Sequence, residues 1–114
     1  MRAVVFVFLA ILGVFQAAGA ASPQRGEFNQ IGNYKVSCGT VTAASDARKN
    51  GYHAWVAGFV SGAGYGYSMH GARLADTDFD GASKWIDKYC ADHPLDELAD
   101  AAVALVQELI QRRH

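Results

Sequence analysis

Two cysteines, Cys38 and Cys90, constrain this chain more than any other feature, because the compartment in which it folds decides whether they are joined. The first residues bear on that compartment. Met1-Arg2 is followed by an apolar run from Ala3 to Phe15, broken by Gly13, and then by Gln16-Ala17-Ala18-Gly19-Ala20-Ala21-Ser22-Pro23. A basic start, a short apolar stretch and small residues at the third and first positions before a cut are the signature of a secretory leader. Ala18 and Ala20 suit cleavage before Ala21, and Gly19 and Ala21 suit cleavage before Ser22. The run is short for a membrane span. Residues 1–20 are therefore expected to be a signal peptide, and the mature protein to be periplasmic or secreted. In an oxidising compartment an even pair of cysteines in a small domain predicts a disulfide. Cys38 and Cys90 lie 52 positions apart, and closing that loop is worth about 4 kcal/mol by chain entropy.

Removing residues 1–20 from the 114 leaves one domain's worth of chain. Arg2 is lost with the leader, so the 10 basic residues become nine against 11 acidic ones. That balance gives no basic footprint for nucleic acid. No charge run marks a membrane-binding face either.

Residues 21–36 carry Pro, Gly, Asn and Gln with little periodicity and read as a flexible N-terminal arm, leaving 37–114 for an all-α domain of about three helices. A first helix is expected from about Ala43 to about Tyr65, capped by Thr42 or Ser45. Tyr52, Val56, Phe59, Val60 and Ala63 form its apolar stripe, widened by Trp55. Gly58, Gly62 and Gly66 share one face of it. Each costs roughly 1 kcal/mol in a helix interior. The face is read as a close approach of another helix or a bend near Gly62 to Gly66, with a groove for a partner as the alternative. Ser68 to Thr77 reads as a loop containing Gly71. A second helix begins near Asp78 or Asp80, with Ala82, Trp85, Ile86, Tyr89 and Cys90 inward, and ends at Asp92-His93 before Pro94. The third starts at Pro94 and carries Leu95, Leu98, Ala102, Leu105 and Leu109 on one stripe, with acidic residues early and Arg112 and Arg113 late.

Motifs with chemistry are sparse. Asp76-Thr77-Asp78-Phe79-Asp80-Gly81 matches the opening of a calcium loop, in which alternate carboxylates converge on one hard cation. Its continuation does not fit: Ser83, Lys84 and Asp87 fall where an apolar residue, a ligand and a glutamate are usual. The plainer reading of the same aspartates is a cap and acidic first turn. His53, His70, His93 and His114 show no metal-ligand spacing. His53 is read as a surface or partly buried side chain, and His93 as part of a helix entry. Gly58 to Gly66 is not a phosphate loop, and Ser61 is in no nucleophile elbow. No catalytic constellation and no cofactor site is expected. The aromatics Tyr52, Trp55, Phe59, Tyr65, Tyr67, Phe79, Trp85 and Tyr89 are expected mostly in the core, with Tyr65 and Tyr67 as the candidates for an exposed partner-binding patch.

A small exported helical domain with two cysteines resembles the HdeA-like fold group. Gly51-Tyr52 followed by Gly58 and Gly62, and then Tyr89, His93-Pro94, Ala102 and Leu105-Val106, are similar to the periplasmic immunity proteins of type VI secretion, of the Rap and Tai kind. The acid-stress chaperones HdeA and HdeB are more distant. Ser68 to Ala82 matches neither branch. The first resemblance implies a non-catalytic module that binds and neutralises a toxic partner in the periplasm. The second implies a chaperone that holds clients at low pH, where protonated carboxylates leave a strongly positive chain. A calcium-binding or hydrolytic protein is the third reading. The expected partner is another protein, toxin or client, or a second copy in a homodimer, with no nucleic acid and no membrane after cleavage.

Overall fold

A computed structural model describes residue 26 and residues 28–113. The expected signal peptide, its cleavage positions and His114 lie outside the described residues. The described part is helical, with four helices: α1 (Cys38–Ala43), α2 (Asp46–Ser68), α3 (Phe79–Asp92) and α4 (Leu98–Gln111).

Local chemistry explains most of the boundaries. Ser37 caps α1, its Oγ accepting from Thr40 N, and Ser45 caps α2 in the same way from Arg48 N. Between them Ala44 is extended, so two helices follow each other across one residue pair. α2 ends at Ser68 with Met69 as its C-cap, and Gly71, with φ of +71°, turns the chain back. Asp78 Oδ1 accepts from Gly81 N at 2.7 Å and starts α3. His93 stops it ahead of Pro94.

Two expectations need correction. α1 was not anticipated, and the first long helix begins three residues later than Ala43 and runs three past Tyr65. The last helix begins at Leu98, not Pro94. The carbonyls of Pro94 and Asp96, which a helix starting at Pro94 would turn inward, accept instead from Gly39 N (2.9 Å) and Cys38 N (2.7 Å). In return Leu98 N and Ala99 N, two of the amides a helix start leaves unpaired, donate to the carbonyls of Val36 (2.8 Å) and Tyr34 (3.0 Å). The segment 34–39 thus runs antiparallel along 94–99, with Ser37 bridging Glu97. Leu95, expected on the inner stripe, lies in the turn and is 95% exposed.

The disulfide is present. Cys38 and Cys90 are bonded with Cα atoms 4.5 Å apart, both fully buried. They tie the first residue of α1 to the last turns of α3. Around them the core gathers Val41, Tyr52, Val56, Ile86, Leu98, Leu105 and Leu109, so all four helices contribute. α4 supplies the largest share of it, and its small residues, Ala101 and Ala102, let the neighbouring helices approach. The loop after α2 returns along α4. Ala75 N donates to Leu109 O, and Arg113 donates to Arg73 O, so carbonyls near the end of α4 and in the loop are paired.

Candidate functional site

α2 buries one face, with Tyr52, His53 and Val56. Its opposite face is Gly51, Ala54, Gly58, Gly62, Tyr65, Gly66 and Met69, at steps of three, four, four, three, one and three, and all are exposed. A Cβ built on Gly51, Gly58, Gly62 or Gly66 meets nothing within 4 Å. The expected close helix approach is therefore absent: the glycines point to open space, and α2 is one continuous helix through Gly62 and Gly66. No Asp, Glu, Lys or Arg occurs between Lys49 and Arg73. The face is therefore smooth and uncharged along its length, and it shares the depletion of charge found at the centres of protein interfaces.

At the end of this helix Tyr65 and Met69 are each 69% exposed. Tyr67 is also exposed, on the other side of the helix, so the two tyrosines do not form one patch. Both lie outside the core to which most of the aromatics were expected to belong. Met69 was overlooked, although its spacing of four from Tyr65 marks it as a neighbour.

Near the start of the face a cleft of about 410 Å³ opens between α2 and the segment before Gly32. Phe28 and Ile31 line one side, and Trp55, Gly58 and Phe59 the other. Trp55 Nε1 donates to Ile31 O at 2.6 Å, Trp55 stacks on Phe59, and Phe28 leans on Phe59. Gly32 has φ of +98°, and a Cβ there would stand 2.8 Å from Trp55 Cδ1. The chain passes that close to the indole only because this residue is glycine. Sequence gave no sign of this contact, since Phe28 and Ile31 belong to no periodic pattern.

The aspartates of the calcium-like motif do separate jobs. Asp76 faces Arg73 at 3.4 Å, Asp78 caps α3, and Asp80 lies in its first turn. Residues from Phe79 onward are helical, so no loop wraps a cation there. Among the described residues no group of three or more His, Cys, Asp or Glu side chains is placed to hold a metal ion.

Two polar arrangements bind the helices together. His53 is buried, not at the surface, and its Nε2 lies 2.7 Å from Asp87 Oδ1 across the α2–α3 contact. On α3 the rings of Trp85, Tyr89 and His93 stack in sequence. The Tyr89 hydroxyl donates to Asp96 at 2.6 Å. Burial, and then that hydrogen bond and the charge of Asp96, push the Tyr89 phenol well above its ordinary value. His93 is not a helix-entry device. It closes α3, its Nδ1 2.9 Å from Tyr89 O. Asp92, at the surface, is held below the usual carboxylate range by its hydrogen bond to Lys88. None of the described helices is long and apolar enough to cross a membrane. Compared with protein-family models, curated proteins and solved structures, the chain finds no match.

Proposed function

We propose that this chain is an exported, non-catalytic protein-binding module that lays the outward face of α2 against a partner, in the manner of the periplasmic immunity proteins it resembles. One observation carries this reading. Gly51, Gly58, Gly62 and Gly66 each weaken α2 by roughly 1 kcal/mol relative to alanine, and nothing in the fold occupies the space they leave. A cost with no internal use points to an external one: a helix without side chains lets a partner's backbone approach closely. The exposed Tyr65 and Met69 supply apolar contact beside it. The HdeA-like grouping belongs to the same proposal, supported by the helical domain and its single disulfide.

The test uses the mature chain expressed in the periplasm together with the protein encoded beside it. Gly62→Trp fills open space, so it leaves the fold intact while blocking the face. The wild type should co-purify with the neighbouring protein and relieve its toxicity, and Gly62→Trp should do neither. A partner bound equally by both, or a neighbour that neither binds, overturns the proposal.

A further inference from the structure

Trp85 and Tyr89 of α3 and its closing residue His93 follow one another at steps of four, so their side chains lie in a row on one side of the helix. Trp85 and Tyr89 are half-buried, and their rings are nearly parallel, at 16°, with centroids 5.5 Å apart. His93 stacks on Tyr89 in turn, at 4.2 Å and 18°. The phenol O–H donates to Asp96 Oδ2 at 2.6 Å, the short distance of a hydrogen bond to a carboxylate. The binding face proposed on α2 uses none of these groups. The stacked pair on α2 is different in kind. There Trp55 lies on Phe59, a ring with no proton to release, and its Nε1 donates to Ile31 O. Of the two stacks, only that on α3 puts an indole, a phenol and a base in contact.

We propose that Trp85, Tyr89 and Asp96 form a one-electron relay that restores Trp85 after oxidation. A diffusing one-electron oxidant, such as the azide radical, takes an electron from the indole and becomes azide. The indole radical cation then takes one electron from the Tyr89 ring stacked on it. Loss of that electron makes the phenol O–H strongly acidic, and its proton crosses the hydrogen bond to the Asp96 carboxylate. The products are an intact indole, a neutral phenoxyl radical and a carboxylic acid. An indole that has already lost its N–H proton to water takes one back from water in the same step. A hydrogen atom from a small reductant such as ascorbate restores the phenol, and Asp96 gives its proton to water.

Each part of the geometry has a use in this sequence. Ring contact supplies electronic coupling, which falls steeply with distance. Burial and then the hydrogen bond and charge of Asp96 keep the proton on the resting phenol, so it leaves only with the electron. The row ends as a conductor at Tyr89, because an imidazole gives up an electron far less readily than a phenol. Cys38 and Cys90 are bonded to each other, so no thiol of this chain competes as the donor.

Pulse radiolysis of the mature chain with its disulfide intact, using azide radical as the oxidant, tests this, since indolyl and phenoxyl radicals absorb at different wavelengths. Indolyl absorbance should decay into phenoxyl absorbance at a rate independent of protein concentration. Trp85→Phe and Tyr89→Phe should each abolish that phase, and Trp55→Phe should leave it. Asp96→Asn keeps an acceptor for the phenol but cannot take its proton, so the phase should slow by about a hundredfold, the low end of what a positioned base contributes. Slow oxidation in the presence of ascorbate, followed by mass spectrometry, gives a second readout. There Tyr89→Phe should lose Trp85 to oxidation products faster than the wild type does, with the loss of Trp55 unchanged. A stack that merely holds α3 together would show no such phase and no selective loss of Trp85. Absence of the phase in the wild type, its survival in Tyr89→Phe, or an unchanged rate in Asp96→Asn overturns the relay. If circular dichroism shows that Asp96→Asn is unfolded, the wild type in heavy water takes its place, where a slower phase supports the proton step and an equal rate overturns it.

Discussion

Replacing Cys38 and Cys90 together by alanine removes the one covalent contact between the two ends of the helical domain. The bond spans 52 positions, so the reduced unfolded chain regains loop freedom worth about 4 kcal/mol at 25 °C. The native state has little to offset this. Both sulfurs are fully buried in the core cluster, and their loss leaves a void that adds to the destabilisation. α1 has six residues, too few to persist without tertiary support, and its first residue is the one the bond secures. Domains of this size have about 5–15 kcal/mol in total. At about 4–8 °C per kcal/mol, the midpoint of thermal unfolding should fall by about 16–32 °C. Urea unfolding of oxidised wild type and the double variant, followed by circular dichroism, measures the difference directly. A loss below about 1 kcal/mol would refute the reasoning, because the chain-entropy model allows so small an effect only if the unfolded chain stays compact without the bond.

Gly58→Ala and Gly62→Ala should each stabilise the protein by about 0.5–1 kcal/mol in urea, since both sites are helical and open; destabilisation would mean that the face is packed in solution. The raised Tyr89 phenol favours the folded state below the pH at which an unfolded tyrosine ionises, and that advantage disappears as pH climbs toward its folded value. Tyr89→Phe should therefore flatten the loss of stability between about pH 9 and pH 11, around the ordinary phenol value. Asp78→Ala removes the side chain that caps α3 and should cost about 1 kcal/mol, whether or not calcium is added. A calcium-dependent midpoint in the wild type that vanishes in this variant would revive the cation reading of the motif.

What the sequence made legible was local. The stripe from Leu98 to Leu109, the cap at Asp78 and the stop before Pro94 each depend on residues within a turn of one another. The cysteine pairing was legible because the leader expected from the first twenty residues implied an oxidising compartment, not because spacing required it. α1 was missed because Cys38-Gly39-Thr40-Val41 has no helical periodicity, and its order comes from a bond and two carbonyls supplied by residues more than fifty positions away. The start of α4 was misplaced for the same reason: Pro94 suits a first helical turn, but distant partners took its carbonyl. The glycine face was misread because a missing side chain looks the same in sequence whether a neighbour fills the space or nothing does. His53 gave no warning at all, since its partner is 34 positions away on another helix.

The antiparallel splice of residues 34–39 onto 94–99 has a consequence for biogenesis. The earliest stretch of the helical domain to be synthesised finds its hydrogen-bond partners only when residues 94–99 have been made. Until then the opening segment of the helical domain lacks the partners that order it, and the fold cannot be completed.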